Sequence, residues 1–189
     1  MLNIPRLVSE RAITTILRSE QSPLLANFYA RNQTFFKPWF PSRPNYYFSA
    51  DYWRERLDQI YKAFLNDEAI YFCALSLDEK EVLAVANFTA IQEGAFKGCQ
   101  LHFALDEANQ GQGLMQEVLS HSLNFVFCEL DLHRVCCCYP PRNKRAHNLL
   151  KHLGFEQEGF ARSYLKLNGH WQDHNLASLI NPLHDNHFL

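Results

Sequence analysis

Gln110-Gly111-Gln112-Gly113-Leu114-Met115 lies where an apolar run, Leu101 to Leu105, gives way to a helical pattern that begins at Leu114. Two glycines separated by one residue at a strand-to-helix junction leave backbone N–H groups uncovered, and the positive end of the following helix adds its dipole. Without Cβ atoms, Gly111 and Gly113 let the backbone approach an anion closely and take positive φ where the turn requires it. The stretch therefore reads as a seat for phosphate. A Walker loop needs Lys and then Ser or Thr after its last glycine, and here Leu114 and Met115 stand in those places. A dinucleotide fingerprint needs a third glycine and an acid at the end of the next strand, which instead ends Cys138-Tyr139-Pro140-Pro141.

The remaining match is to Gln/Arg-x-x-Gly-x-Gly/Ala, with Gln110 and Gly113 in register. In this the loop resembles the pyrophosphate loop of the GCN5-related N-acetyltransferases. The resemblance implies acetyl-coenzyme A, held by Gln110, Gly111, Gln112, Gly113, Leu114 and Met115. Met115 stands where that pattern has Gly or Ala, a departure that bears on packing against the pantetheine more than on the N–H groups.

Working outward, 189 residues with 47% hydrophobic content suffice for one domain spanning 1–189 with a substantial core. A net charge of −2 gives no basic footprint for direct DNA binding or other sequence-independent nucleic-acid binding. The start lacks a charged segment followed by an apolar one, and no apolar run approaches the roughly 20 residues that cross a bilayer. The expectation is a cytoplasmic protein without membrane contact. Cys136, Cys137 and Cys138 are adjacent, so on a strand they point to alternating faces and cannot converge on one metal. They read as reduced, partly buried thiols. His184 and His187 form at most a metal patch in an otherwise polar tail, and no metal is expected.

The coarse element order is a strand at Ala12 to Arg18, then a helix at Leu24 to Asn32 with Ser22 as N-cap and Pro23 at the first helical position. Phe35 to Tyr47 holds three prolines and six aromatics, an ordered loop that is either pocket wall or core cover. A helix covers Ser49 to Leu65, with Tyr52, Trp53, Leu57, Ile60, Tyr61 and Phe64 on one face. Ala69 to Ser76 and Glu81 to Ala90 form a hairpin, Gly98 to Leu105 is the strand before the loop, and Leu114 to Cys128 is the helix after it. That helix buries Val118, Leu119, Ser122, Phe125 and Val126. His133 to Tyr139 is a strand, and Asn143 caps a helix from Lys144 to Leu153 that stops at Gly154. Glu158 to Leu167 and Trp171 to Ile180 close the chain as a hairpin on Asn168-Gly169, which favours a type I′ turn. The order predicts an α/β (α+β) layer architecture, a mostly antiparallel mixed sheet covered by helices.

Further stretches carry the family resemblance. Asn143 to Gly159, with Leu153-Gly154-Phe155 and Glu158-Gly159, is similar to the helix and turn of the Rim-type N-terminal acetyltransferases. Asn168-Gly169-His170-Trp171-Gln172-Asp173 resembles their following hairpin. Asn32 to Phe40 and Val85-Ala86-Asn87-Phe88 resemble stretches of the branch that modifies a ribosomal-protein alanine. This implies the acyl-CoA N-acyltransferase fold, with helices on both faces and a splayed central strand pair. It implies transfer of acetyl from acetyl-CoA to the terminal alanine of small-subunit ribosomal protein five.

The implied roles follow the fold. Backbone of Phe103, Ala104 and Leu105 pairs with pantetheine amides, and an N–H there polarises the thioester oxygen as an oxyanion hole does. Asn143 bonds the pantetheine arm, caps the helix, or does both. Trp39 and Asn87 are candidates to contact the acceptor. Related enzymes place a proton donor three or seven residues after the Asn, or a Glu on the strand after the turn. Here those positions are Ala146, Leu150 and Leu165. Tyr164, Asp173 and His102 are the titratable alternatives, beside a water chain that takes the amine proton. Two other readings stay open: an acetyl-CoA-binding assembly factor with little turnover, and transfer to a different amine.

Overall fold

The computed structural model describes residues 4–184. Eight strands form one sheet in the order β1-β2-β3-β4-β5-β6-β8-β7. They are β1 (Arg6–Val8), β2 (Ile13–Thr15), β3 (Ile70–Leu75), β4 (Val82–Gln92), β5 (Gly98–Leu105), β6 (Arg134–Tyr139), β7 (Glu156–Leu167) and β8 (His170–Ile180). Every neighbouring pair is antiparallel except β5 and β6. That exception follows from the connection, because parallel neighbours need a crossover and here α4 (Leu114–Cys128) supplies it.

The helices cover both faces, as expected. α1 (Ser22–Arg31), the short α2 (Gln33–Phe36) and α3 (Ala50–Leu65) precede the sheet's centre, and α5 (Lys144–His152) follows β6. Phe125 of α4 meets Phe72 edge to face at 5.6 Å, whereas Tyr29 of α1 lines a cleft with the neighbouring Cys73. Adjacent strand residues point to opposite faces, so α1 and α4 lie on opposite sides of the sheet.

Local signals set most boundaries. Ser49 accepts from the Tyr52 N–H and caps α3, which buries Trp53, Leu57, Ile60 and Phe64 and half-buries Tyr52 and Tyr61. Asn143 accepts from the Ala146 N–H at 3.1 Å, and Gly154 closes α5 at φ 89°. Asn168 and Gly169 both take positive φ, 50° and 85°, as a type I′ turn requires.

Three readings are corrected. The first strand is only Ile13–Thr15, and it pairs with a further short strand, Arg6–Val8, too brief to show alternation. Ser22 is the first residue of α1 rather than its cap. A 3-10 turn at Ser19–Gln21 runs straight into the helix, and the Ser22 hydroxyl is buried without a partner among the described residues. On α4, Phe125 is half-buried, while Leu123 and Phe127 join the buried side. At the other end His184 bonds Asp131 at 2.7 Å and stacks on His133; His187 lies outside the described residues. Among the described residues, no three His, Cys, Asp or Glu side chains converge on a point that could hold a metal, and no helix is long and apolar enough to cross a membrane.

Candidate active site

The site begins where one ladder stops. β5 and β6 pair only from Gly98 to Leu101 against Arg134 to Cys137. Beyond that, β5 continues along β4 as far as Leu105, and β6 continues along β8 as far as Tyr139. The two central strands therefore part, and the β6-facing edge of His102 to Leu105 is left without a strand partner among the described residues. A cleft of about 760 Å³ opens there. His102, Phe103, Cys138 and Tyr139 line it on the parted strands, Asn143 lines it from the start of α5, and Trp39 and Asn87 line it as well. Phe35 to Tyr47 resolves in part as pocket wall, since Trp39, Phe40, Pro41, Arg43 and Tyr47 all face the cleft.

From Leu105 the chain passes through a 3-10 turn, Glu107–Asn109, into the glycine loop. Gly111 and Gly113 are exposed and sit at φ 73° and 77°, a region that favours glycine. Of the N–H groups from Gly111 to Gln116, that of Gln112 closes a turn, and the other five have no acceptor among the described residues. Five such donors at the head of a 15-residue helix are the arrangement that an anion seat requires. Leu114 and Met115 contribute only backbone to it, because their side chains are buried. Gln110 turns inward, its amide donating to Leu105 O at 3.0 Å, so that side chain braces the loop. Gln112 likewise bonds Ala108 O.

Two further groups fix the loop. Arg11 donates through its guanidinium to Gln112 O at 2.6 Å and to Glu117 at 2.7 Å. Asp106, 4% exposed, pairs with Arg31 of α1 and accepts the Ala108 N–H at 2.9 Å. Arg11 lies 106 residues from Glu117, so nothing local in the sequence marks it.

The titratable candidates separate. His102 is exposed but lines the cleft, and partial desolvation there holds its pKa below 6.5. Asp173 instead accepts the Ser163 N–H at 2.8 Å on the exposed hairpin, bracing a bulge where Ser163 takes φ 49°. Tyr164 packs against His174, 5.7 Å between centroids, and neither Tyr164 nor Asp173 is among the cleft-lining residues. His174 does line the cleft and was not singled out from sequence. It is buried, and its Nδ1 donates to Gln172 O at 3.0 Å, which leaves Nε2 as the acceptor in the neutral ring.

The family profile described as Acetyltransferase (GNAT) domain matches residues 14–156. The chain belongs to the GNAT acetyltransferases. It is 37% identical over 182 residues to the [Ribosomal protein uS5]-alanine N-acetyltransferase of Escherichia coli strain K12, covering 95% of this chain and 94% of that one. The crystal structure of the ribosomal-protein-S5-alanine acetyltransferase from Vibrio fischeri superposes with a TM-score of 0.91 at 30% identity, covering 94% of this chain and 97% of that one. Mycobacterium smegmatis RimJ, solved with CoA-disulfide, shares the fold at a TM-score of 0.83 and 19% identity, with 94% and 86% covered. In this GNAT acetyltransferase, Ala146 and Leu150 are buried and carry no proton donor, and Leu165 sits at the cleft's edge.

Proposed function

We propose that this protein transfers acetyl from acetyl-CoA to the N-terminal α-amine of a protein, the alanine of ribosomal protein uS5, in the cytoplasm. The observation that carries the reading is the parting of β5 from β6, whose free edge leads through one 3-10 turn into a loop where most N–H groups have no acceptor among the described residues. A pantetheine arm has amides to pair with that edge, and a diphosphate has oxygens to fill the loop. The relatives covering nearly the whole chain support the acceptor.

Bound acetyl-CoA supplies an activated acyl group. Gly111 to Gln116 hold its diphosphate through N–H groups and the helix dipole. The backbone of Phe103 to Leu105 aligns the arm, and an N–H of that edge meets the carbonyl oxygen as charge builds on it. Asn143 caps α5 with Oδ1, and its amide N–H groups, which have no acceptor among the described residues, are available to a ligand in the cleft it lines. An α-amine has a pKa of about 7.7 to 8.0, so much of the nucleophile's activation is positioning. As the C–N bond forms and the C–S bond breaks, His102, its pKa lowered by partial desolvation, takes the proton the amine releases, and the CoA thiolate leaves to take a proton from solvent. Trp39 and Asn87 flank the acceptor's path. Tyr164 and Asp173 support the hairpin instead.

The test is mass spectrometry of ribosomal proteins after incubation with this protein and isotopically labelled acetyl-CoA. Label on the uS5 terminal alanine is expected; label on a different amine would reject the acceptor. The absence of a donor at Ala146 and Leu150 favours one second reading, a binding factor with little turnover. Tight acetyl-CoA binding with no label transferred would support it.

A further inference from the structure

The outer wall of the cleft carries charge that the transfer chemistry does not use. α3 turns Tyr52, Arg56 and Gln59 toward the cleft, four and three residues apart and hence on one stripe. Arg56 is held in place twice: Nη1 donates to Gln59 Oε1 at 3.0 Å, and its guanidinium carbon lies 6.0 Å from the Tyr71 ring centroid. Arg43 lies 4.7 Å over Tyr47, on the same wall. Lys166 of the hairpin also lines the cleft. Among the described residues none of these three cations forms an ion pair, and Glu55 is the only carboxylate on the lining.

Two guanidinium groups propped on aromatic rings have lost part of their rotamer freedom before any ligand arrives, which suits them to grip a carboxylate through two parallel N–H donors. The cofactor's anionic part has its own seat, at Gly111 to Gln116 on the α4 side of the sheet. The outer cations are left for the other ligand. A protein terminus that points its amine at the parted strands must lead its next residues past this wall. The positive excess also disfavours the ammonium form of that amine, in the direction a nucleophile needs.

We propose that the acceptor is an extended protein N-terminus bearing Asp or Glu shortly after its first residue, and that Arg43 and Arg56 recognise that carboxylate. This rests on the protein-terminus reading above. The test uses alanine-initiated peptides with one Glu scanned through positions 2 to 6 of a neutral background, and matching Lys and neutral controls. They are assayed with the native protein and with Arg43→Gln, Arg56→Gln and Arg56→Glu. At the best position, Glu is expected to raise kcat/KM about tenfold over neutral, mainly through KM. Either Gln variant should lose most of that advantage, and Arg56→Glu should turn it into a preference for Lys. Acetyl-CoA affinity, unchanged in the variants, reports that they are folded; should Arg56→Gln fail this check, Arg43→Gln decides alone. Equal rates for Glu, neutral and Lys peptides would overturn the inference while leaving the terminus reading intact. So would an advantage that survives both Gln variants. No acetylation of any peptide, with acetyl-CoA still bound, would overturn the terminus reading and this inference together.

Discussion

Arg11 and Glu117 meet beside the glycine loop: the Arg11 Nε lies 2.7 Å from Oε2, and its backbone N–H donates to Oε1 at 3.0 Å. The same guanidinium reaches Gln112 O, so one residue ties the loop to the first turn of α4. Burial pushes the Glu117 carboxyl up, but the nearby Ser9 hydroxyl and the hydrogen bonds and charge of Arg11 outweigh it and hold the group below 4.5. The pair is therefore intact at neutral pH, and its contribution is lost only as pH falls below about 4.5. Arg11→Ala should weaken acetyl-CoA binding by about three- to tenfold, the loss of a half-exposed pair plus one hydrogen bond. Glu117→Gln, which keeps the shape and removes the charge, should cost less. Calorimetric titration measures both, and an affinity unmoved by Arg11→Ala would show that the loop does not need this tie.

Gly113 separates strain from charge. At φ 77° a side chain is strained by about 1 to 2 kcal/mol, yet a Cβ would find only Arg11 Nη2, at 3.8 Å. Gly113→Ala should thus lower stability by about that amount and leave binding detectable. Gly113→Glu places a negative charge where a diphosphate is expected, and binding should vanish; Gly113→Gln should fall between. Acetyl-CoA affinity equal to native in a folded Gly113→Glu protein would move the anion seat elsewhere.

Alkaline pH should unfold the protein sooner than its surface charge suggests. Burial pushes the Cys73 and Cys99 thiols from 9.0 up to about 12 and raises Tyr29 well above 10.0. In the unfolded chain these groups lose protons at their ordinary values, while the folded chain keeps them. Stability then falls with rising pH, by up to about 1.4 kcal/mol per pH unit for each such thiol between 9 and 12. Denaturant midpoints measured from pH 8 to 10.5 should drop, and Cys73→Ala should flatten part of that slope. A midpoint constant across this range would contradict the burial of these groups.

Much of this was legible because it is local. A Gly-x-Gly at a strand-to-helix junction, an Asn three residues before a free N–H, and Asn-Gly between two strands each fix a backbone conformation without help from distant residues. What escaped was register and reach. Around Ser163 the pairing shifts between Ala161 and Leu165, so counting alternation along β7 does not find which side chains face the cleft. Tyr164 and Asp173 fall off it for that reason, while His174, unremarkable in sequence, is packed into it. The parting of β5 from β6 had no sequence signature of its own and came only with the family resemblance. Arg11, Arg43 and Arg56 look like ordinary surface arginines until the fold sets them against Glu117, Tyr47 and Tyr71.

The aromatic wall of the cleft is tied across to the closing hairpin, and this gives a last prediction. Asn168 donates to Lys37 O at 2.5 Å and accepts from the Ser42 hydroxyl at 2.9 Å. Arg142 donates to Pro38 O and to Gln172 Oε1, both at 3.0 Å, and lies 5.5 Å over the Trp39 ring. These contacts bridge segment 37–42 to β7 and β8, so they set how wide the acceptor side stands and barely touch the glycine loop. Asn168→Gly keeps the positive φ the turn needs and removes both side-chain bonds, isolating the tie from the turn itself. Each lost bond is worth about 1 kcal/mol in order of magnitude, and part of that sum should appear in acceptor binding. The KM for an acceptor peptide should rise about three- to tenfold, with acetyl-CoA affinity unchanged. Arg142→Lys, which keeps charge but loses the planar fork, should move KM in the same direction by less. Should both substitutions instead weaken acetyl-CoA and spare the acceptor KM, segment 37–42 would belong to the cofactor's side of the cleft.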